Sequence, residues 1–134
     1  MGLDIYAEQL IQNYEHPSNK RVMADASISM GEENVSCGDV ITVYVKLNGG
    51  KIEDVSFDGS GCVISMGSAS MLTDELKGKT LAQLEKMSYR DLLKIIGIDP
   101  GPVRMHCATL SLRALKKAAF AFEHKPMDTA TKEL

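Results

Sequence analysis

The sequence predicts an α+β domain, a three-stranded antiparallel sheet with helices packed on one face, and three observations carry that prediction. Val40 to Leu47 alternates apolar and polar side chains with the period of a half-buried strand. Asn48-Gly49-Gly50 follows it with residues that tolerate positive φ, so the chain should return as a hairpin. From Cys62 onward the apolar spacing becomes helical and stays so, and strands followed by helices mark an antiparallel sheet with one face covered.

The elements follow in order. Leu3, Tyr6, Ala7, Leu10, Ile11 and Tyr14 recur at helical spacing, and Pro17 ends that helix because proline disfavours helix in the residue before it. Ala26, Ile28 and Met30 alternate with Ser27 and Ser29 as a short first strand. In the second strand Ile41, Val43, Val45 and Leu47 face one way, and Thr42, Tyr44 and Lys46 the other. Lys51 to Asp58 forms the third, with Val55 and Phe57 inward. Cys62, Met66, Ala69, Thr73 and Leu76 make one stripe of a helix that Gly78 stops. Leu81, Leu84, Glu85 and Met87 mark a second short helix, and Leu92, Leu93, Ile95 and Ile96 a third, closed by Gly97. Pro102 suits the first turn of a last helix running to about Phe122, with Cys107, Leu110, Ala114, Ala118 and Ala121 on one face. Residues 1–122 therefore form one domain. Residues 123–134, with proline, threonine and charge but no periodicity, are expected to be a flexible C-terminal tail.

At 134 residues the chain suits a single domain. A net charge of −3 argues against a nucleic-acid-binding surface. The start lacks the basic region and apolar run of a secretory signal, and no stretch approaches the roughly 20 apolar residues of a membrane span. These features place the chain in the cytoplasm, where three cysteines speak for ligation, catalysis or burial rather than a disulfide framework.

Those cysteines stand in Ser36-Cys37-Gly38-Asp39, Gly59-Ser60-Gly61-Cys62 and Arg104-Met105-His106-Cys107. Each sits where the chain turns or begins a helix, and together with Asp39 and His106 they suit one metal site, since soft thiolates select zinc, copper(I) or iron-sulfur species. In extended chain Cys37 and Asp39 would point the same way. Cys62 at a helix start gains from the positive end of the macrodipole, which favours the thiolate. Taken singly, each cysteine is a small buried hydrophobe, Asp39 a turn residue and His106 a satisfied helix histidine; their joint placement is what points to a shared ion. His16 and His124 are assigned to the surface, and the methionines to core packing. Gly78-Lys79-Thr80 is no phosphate loop, because Thr73 occupies the place of its first glycine and a helix precedes it. A cysteine-histidine hydrolase would leave two cysteines and Asp39 without a role, and a structural zinc domain would lose its fold on chelation.

The motifs resemble those of the IscU-type iron-sulfur cluster assembly scaffolds, whose relatives include SufU and the N-terminal domain of NifU. Tyr6-x-Glu8 with Tyr14-Glu15-x-Pro17-x-Asn19 is similar to that family's first helix and its ending, although His16 and Ser18 depart from it. Ser36-Cys37-Gly38-Asp39 resembles the first ligand motif. Phe57-x-Gly59-x-Gly61-Cys62-x-Ile64-Ser65 with Ser68-Ala69-Ser70 resembles the second, and Pro102-Val103-Arg104-x-His106-Cys107 the third. The resemblance implies an IscU-like fold and a scaffold, a carrier more than an enzyme. It would receive sulfur from a pyridoxal-phosphate-dependent cysteine desulfurase, combine it with iron(II) into a [2Fe-2S] cluster and pass the cluster to apo iron-sulfur proteins. By motif match Cys37, Asp39, Cys62, His106 and Cys107 would hold the metal or cluster, with Cys107 the persulfide acceptor and Asp39 the exchangeable ligand. Without iron the same residues suit zinc. The other branch, SufU, consists of zinc-dependent sulfur acceptors. It typically carries an insertion before the third cysteine and lysine at the place of His106, whereas only 44 residues separate Cys62 from Cys107 here. Cys62-Val63-Ile64-Ser65 and Cys107-Ala108-Thr109-Leu110 nevertheless look like SufU wording. Where the IscU branch has a Pro-Pro-Val-Lys segment gripped by a dedicated chaperone, this chain has Gly101-Pro102-Val103-Arg104, a departure that argues against a chaperone partner.

Overall fold

A computed structural model describes residues 2–134, apart from the side chains of residues 2–4 and 6. The first helix, α1 (Gly2–Glu15), precedes a meander of β1 (Ile28–Asn34), β2 (Asp39–Asn48) and β3 (Lys51–Ser60). Five further helices follow: α2 (Val63–Leu76), α3 (Leu81–Glu85), α4 (Tyr89–Ile96), α5 (Met105–Phe122) and α6 (Thr129–Lys132). The sheet has the order β1-β2-β3, antiparallel throughout, as the alternation and the Asn48-Gly49-Gly50 turn require. Gly49 and Gly50 both take positive φ, the left-handed pair that a two-residue hairpin needs to match strand twist.

One face of the sheet is buried. Ile41, Val43 and Val45 on β2 meet Val55 and Phe57 on β3, and α2 and α5 lie over them with Leu72, Leu76, Leu112 and Leu115. A local register shift falls between Lys46 and Leu47, so Leu47 is half-buried rather than a full member of the inward row. The outer edge of β3 is covered by the chain after α1: Arg21 N–H donates to the Phe57 carbonyl at 2.8 Å and Phe57 N–H to the Asn19 carbonyl at 3.0 Å. Asn19 takes positive φ there and donates to Thr73 and Asp74, fastening the end of α1 to α2.

Helix ends obey the local sequence. Thr80 with Gln83 and Ser88 with Asp91 form reciprocal capping boxes at α3 and α4, and Gly97 closes α4 in the left-handed conformation.

Several expectations are corrected. β1 begins later and runs to Asn34, because Glu32 and Asn34 face α5 and are held there by polar contacts that an apolar pattern does not register. Pro102 lies in a turn, and α5 starts only at Met105 with Arg104 as an N-cap that makes no side-chain bond. Ala121 is exposed, although Ala118, Ala119 and Phe120 just before it are buried. In α1 Leu10 is buried but Ile11 and Tyr14 are exposed; the side chains of Leu3 and Tyr6 lie outside the described residues. Residues 123–134, expected to lack regular structure, contain α6: Asp128 caps it by accepting from Thr131 N–H at 2.9 Å, Thr131 is buried, and Leu134 joins the core. A single helical turn is too short to show a period, so its two buried side chains left no pattern to read.

Candidate metal centre

The site forms where three elements end together. Four residues, Val35 to Gly38, close the β1–β2 hairpin, with Asn34 and Asp39 paired across its base. Cys37 N–H and Gly38 N–H both donate to the Asn34 carbonyl, and Gly38 takes φ +74, so the chain doubles back here. Cys37 and Asp39 therefore do not share a face of an extended strand, as their spacing suggested. The turn presents Cys37 to solvent, while Asp39, in phase with Ile41 and Val43, points inward and is only 4% exposed.

Cys62 is the N-cap of α2, as expected, and its sulfur accepts from Ser65 N–H at 3.5 Å. The glycines before it permit the close approach. Gly59 has φ +152, and a Cβ there would overlap the Val40 carbonyl; a Cβ on Gly61 would collide with Ser65 Oγ and sit 3.0 Å from the Asp39 carboxyl carbon. Cys107, in the first turn of α5, is 1% exposed.

Cys37, Cys107 and Asp39 converge, while Cys62 lies outside that close group and reaches it through Asp39. Cys37 Sγ lies 3.3 Å from Cys107 Sγ, Cys62 Sγ lies 3.8 Å from Asp39 Oδ2, and ligand atoms of Cys37, Asp39 and Cys107 all fall within 4.8 Å of one another. Tetrahedral zinc with Zn–S bonds of about 2.3 Å separates its sulfurs by about 3.8 Å, so the donor set fits such an ion with small side-chain movements. The buried Asp39 supports that fit. The Cys62 thiol is a weak donor, and a carboxylate withdrawn from water is costly unless a cation or strong donors compensate it.

His106 stands apart. It is exposed, lies outside the mutually close group, and lines a neighbouring cavity of about 190 Å³ with Asn34, Thr109 and Arg113. Sequence reasoning missed Asn34, whose side-chain amide donates to Cys107 Sγ at 3.7 Å. The signal for it was the paired base of the hairpin, since the residue opposite Asp39 must reach the same end of the sheet.

Burial, the hydrogen bond with Cys37 and the neighbouring acidic groups push the Cys107 thiol up to about 12. A metal takes only the thiolate, so filling the site near neutral pH must displace this proton. Zinc binding is expected to release protons and to tighten by about tenfold per pH unit for each proton displaced, up to the Cys107 value. Calorimetric titration in two buffers of different ionisation enthalpy measures the count; identical heats in both would contradict it.

With this geometry in hand, comparison with known proteins gives a consistent result. The zinc-dependent sulfurtransferase SufU of Bacillus subtilis is 37% identical over 130 residues, covering 84% of this chain and 88% of its own. The iron-sulfur cluster assembly scaffold protein IscU of Azotobacter vinelandii is 32% identical over 124 residues, covering 90% and 95%. In fold, the chain matches the N-terminal part of a nitrogen-fixing NifU-like protein from Brucella abortus at a TM-score of 0.75, with 19% identity and coverage of 92% and 97%. The profile of the NifU-like N-terminal domain spans residues 5–129, nearly the whole length over which the three cysteine motifs and the sheet-plus-helices architecture were described, and the chain belongs to that family.

Proposed function

We propose that this protein is a scaffold for de novo [2Fe-2S] assembly, taking sulfane sulfur from a pyridoxal-phosphate-dependent cysteine desulfurase and iron(II), and passing the cluster to apo-proteins in the cytoplasm. The observation that carries the reading is the meeting of Cys37, Cys107 and Asp39, with Cys62 joined through Asp39, at one end of the sheet. In this reading Cys37, Asp39, Cys62 and Cys107 hold the cargo, and His106, which lines the adjoining cavity, exchanges with Cys107 as a ligand. Cys107 carries the incoming sulfur. Between cargoes the same residues hold zinc, which keeps the thiolates from reaction and ties the three motifs together. In this reading the protein is a carrier more than a catalyst, since a cysteine-histidine hydrolase would leave two of the cysteines and Asp39 without a role.

A second reading, a SufU-like zinc-dependent sulfur acceptor, is favoured by the 37% identity to SufU. The shared chemistry is sulfur acceptance, and the readings part at iron. Anaerobic incubation with desulfurase, cysteine and iron(II) tests them: the visible absorption of a [2Fe-2S] species supports the scaffold, and persulfide with zinc retained and no chromophore supports the acceptor. Neither persulfide nor chromophore would overturn both.

Asp39 gives the scaffold reading a sharper test. A carboxylate is a harder, weaker partner for iron than a thiolate, so a site containing one should release its cluster readily. Asp39→Ala is expected to yield a longer-lived cluster, read as slower loss of visible absorbance with an apo-ferredoxin acceptor present. Abolished assembly would sink the lability argument.

A further inference from the structure

Among the described residues Lys116 is the one buried cation, 2% exposed and well inside α5. Its ammonium donates to the Met87 carbonyl, just past the end of α3, at 2.6 Å, which uses one of its three N–H groups. No carboxylate pairs with it. Asp91 and Asp128 act on it through space, and each is spent on its own helix start, accepting from Ser88 N–H and Thr131 N–H. Burial pushes the lysine below its ordinary value despite the pull of those two acids. Fastening the chain after α3 accounts for one donor; an enclosed charge with two more unspent is costly unless something else compensates it.

Lys116 also lines a cavity of about 200 Å³ between the start of α4, the face of α5 and α6. This cavity is separate from the one that carries His106, although Glu133 and Leu134 border both. Its wall is mostly apolar, with Tyr89, Met105, Ala130 and Leu134. Met105 and Lys116 stand about three turns apart on one face of α5, and helical side chains lean toward the N-terminus, so the lysine stem leans toward the methionine end.

We propose that this cavity binds a small unbranched monocarboxylate, its head on the Lys116 ammonium and its chain along α5 toward Met105. Each part of that ligand answers a feature of the wall. A carboxylate accepts from the unspent N–H groups in a charge-assisted bond, and the apolar wall takes a hydrocarbon chain to which Met105 can adapt. Asp91, Asp128 and Glu133 around the lysine disfavour a second negative charge, which argues against phosphate esters and dicarboxylates. A dry cavity of about 150 Å³ holds benzene, so this one suits roughly six to eight heavy atoms, the size of hexanoate. The site shares no residue with the cysteine centre, and its binding does not depend on that centre's cargo.

The test uses the full chain with its eight methionines labelled with carbon-13 at the methyl group, titrated with sodium hexanoate against a sodium chloride control and followed by NMR. Met105→Leu assigns the Met105 signal. That signal is expected to move saturably with hexanoate, with hexanol and adipate at least about tenfold weaker, the lower end of what a hydrogen bond to a charged group gives. Lys116→Met keeps the length of the side chain without its charge and should weaken hexanoate by at least the same factor. Ala130→Phe, at an exposed position in the cavity wall, should block the site by bulk with Lys116 still in place. No saturable movement of the Met105 signal, or equal movement of all the methionine signals, would overturn the proposal. So would hexanol or adipate binding as tightly as hexanoate, or wild-type affinity in Ala130→Phe or in a folded Lys116→Met. If Lys116→Met fails to fold, Ala130→Phe and the ligand series decide.

Discussion

Cys107→Ser is expected to abolish desulfurase-dependent persulfide and to weaken zinc binding by more than the roughly 10–100-fold that loss of a supporting outer group costs. Serine keeps the size of the side chain, and Cys107 sits among the small neighbours Ala108 and Ser111 on α5, so the fold should survive and the effect should belong to the site. The sulfur is lost as a nucleophile, and a hydroxyl is a poor ligand for a soft site. Burial of Cys107 sharpens the result. In the closed arrangement the thiol is 1% exposed and holds its proton up to about 12, so sulfur reaches it only when the Cys37 turn moves aside or hands the sulfur inward. Mass spectrometry after incubation with a desulfurase and cysteine reads the outcome. Unchanged labelling of Cys107→Ser would show that Cys37 or Cys62 is the acceptor and that the third motif serves only for ligation.

Phe57→Ala should be the most damaging single change to the fold. Phe57 is fully buried in β3, the strand that α2 packs against, and it is the largest side chain so enclosed among the described residues. Truncation of a buried phenylalanine costs about 3–5 kcal/mol in transfer and cavity terms. Its backbone bonds to Asn19 and Arg21 do not need the ring, so they remain and the loss is one of packing. Set against a typical total of about 5–15 kcal/mol, this would leave the zinc-free protein marginal. Urea unfolding of the zinc-free form measures it; a loss below about 1 kcal/mol would mean that the core collapses around the gap, contrary to the packing described.

How much of this was readable beforehand depends on how far each residue's role is local. The hairpin at Asn48-Gly49-Gly50, the inward row on β2 and the Cys62 helix start rest on turn chemistry and short-range alternation, and the structure has them where expected. The fold class followed because strands and helices are segregated along the chain. The convergence of the cysteine motifs was also anticipated, through their placement at element ends. What escaped was decided across the sheet. Glu32 and Asn34 look like loop residues by composition, yet both lie in β1 because Arg113, Lys117 and Cys107 on α5 receive them. The start of α5 was misread because Pro102 is compatible both with a first helical turn and with the turn preceding it. His106 adjoins Cys107 in sequence, but adjacent helical residues point about 100° apart, and only one of them faces the sulfur cluster.

Glu32 has a bearing on how the protein behaves when crowded. β1 is an outermost strand with one side unpaired among the described residues, the arrangement by which sheets of separate molecules join edge to edge. A carboxylate on its inward side, held by Arg113 at 3.5 Å and Lys117 at 3.3 Å, is the kind of inward-pointing charge that makes such an edge a poor template, and a one-residue slip of β1 against β2 would turn it outward and strand its two cations. The ion pairs of Glu32, two residues before the Asn34 that reaches Cys107, thus also discourage fibrillar polymerisation of the folded molecule.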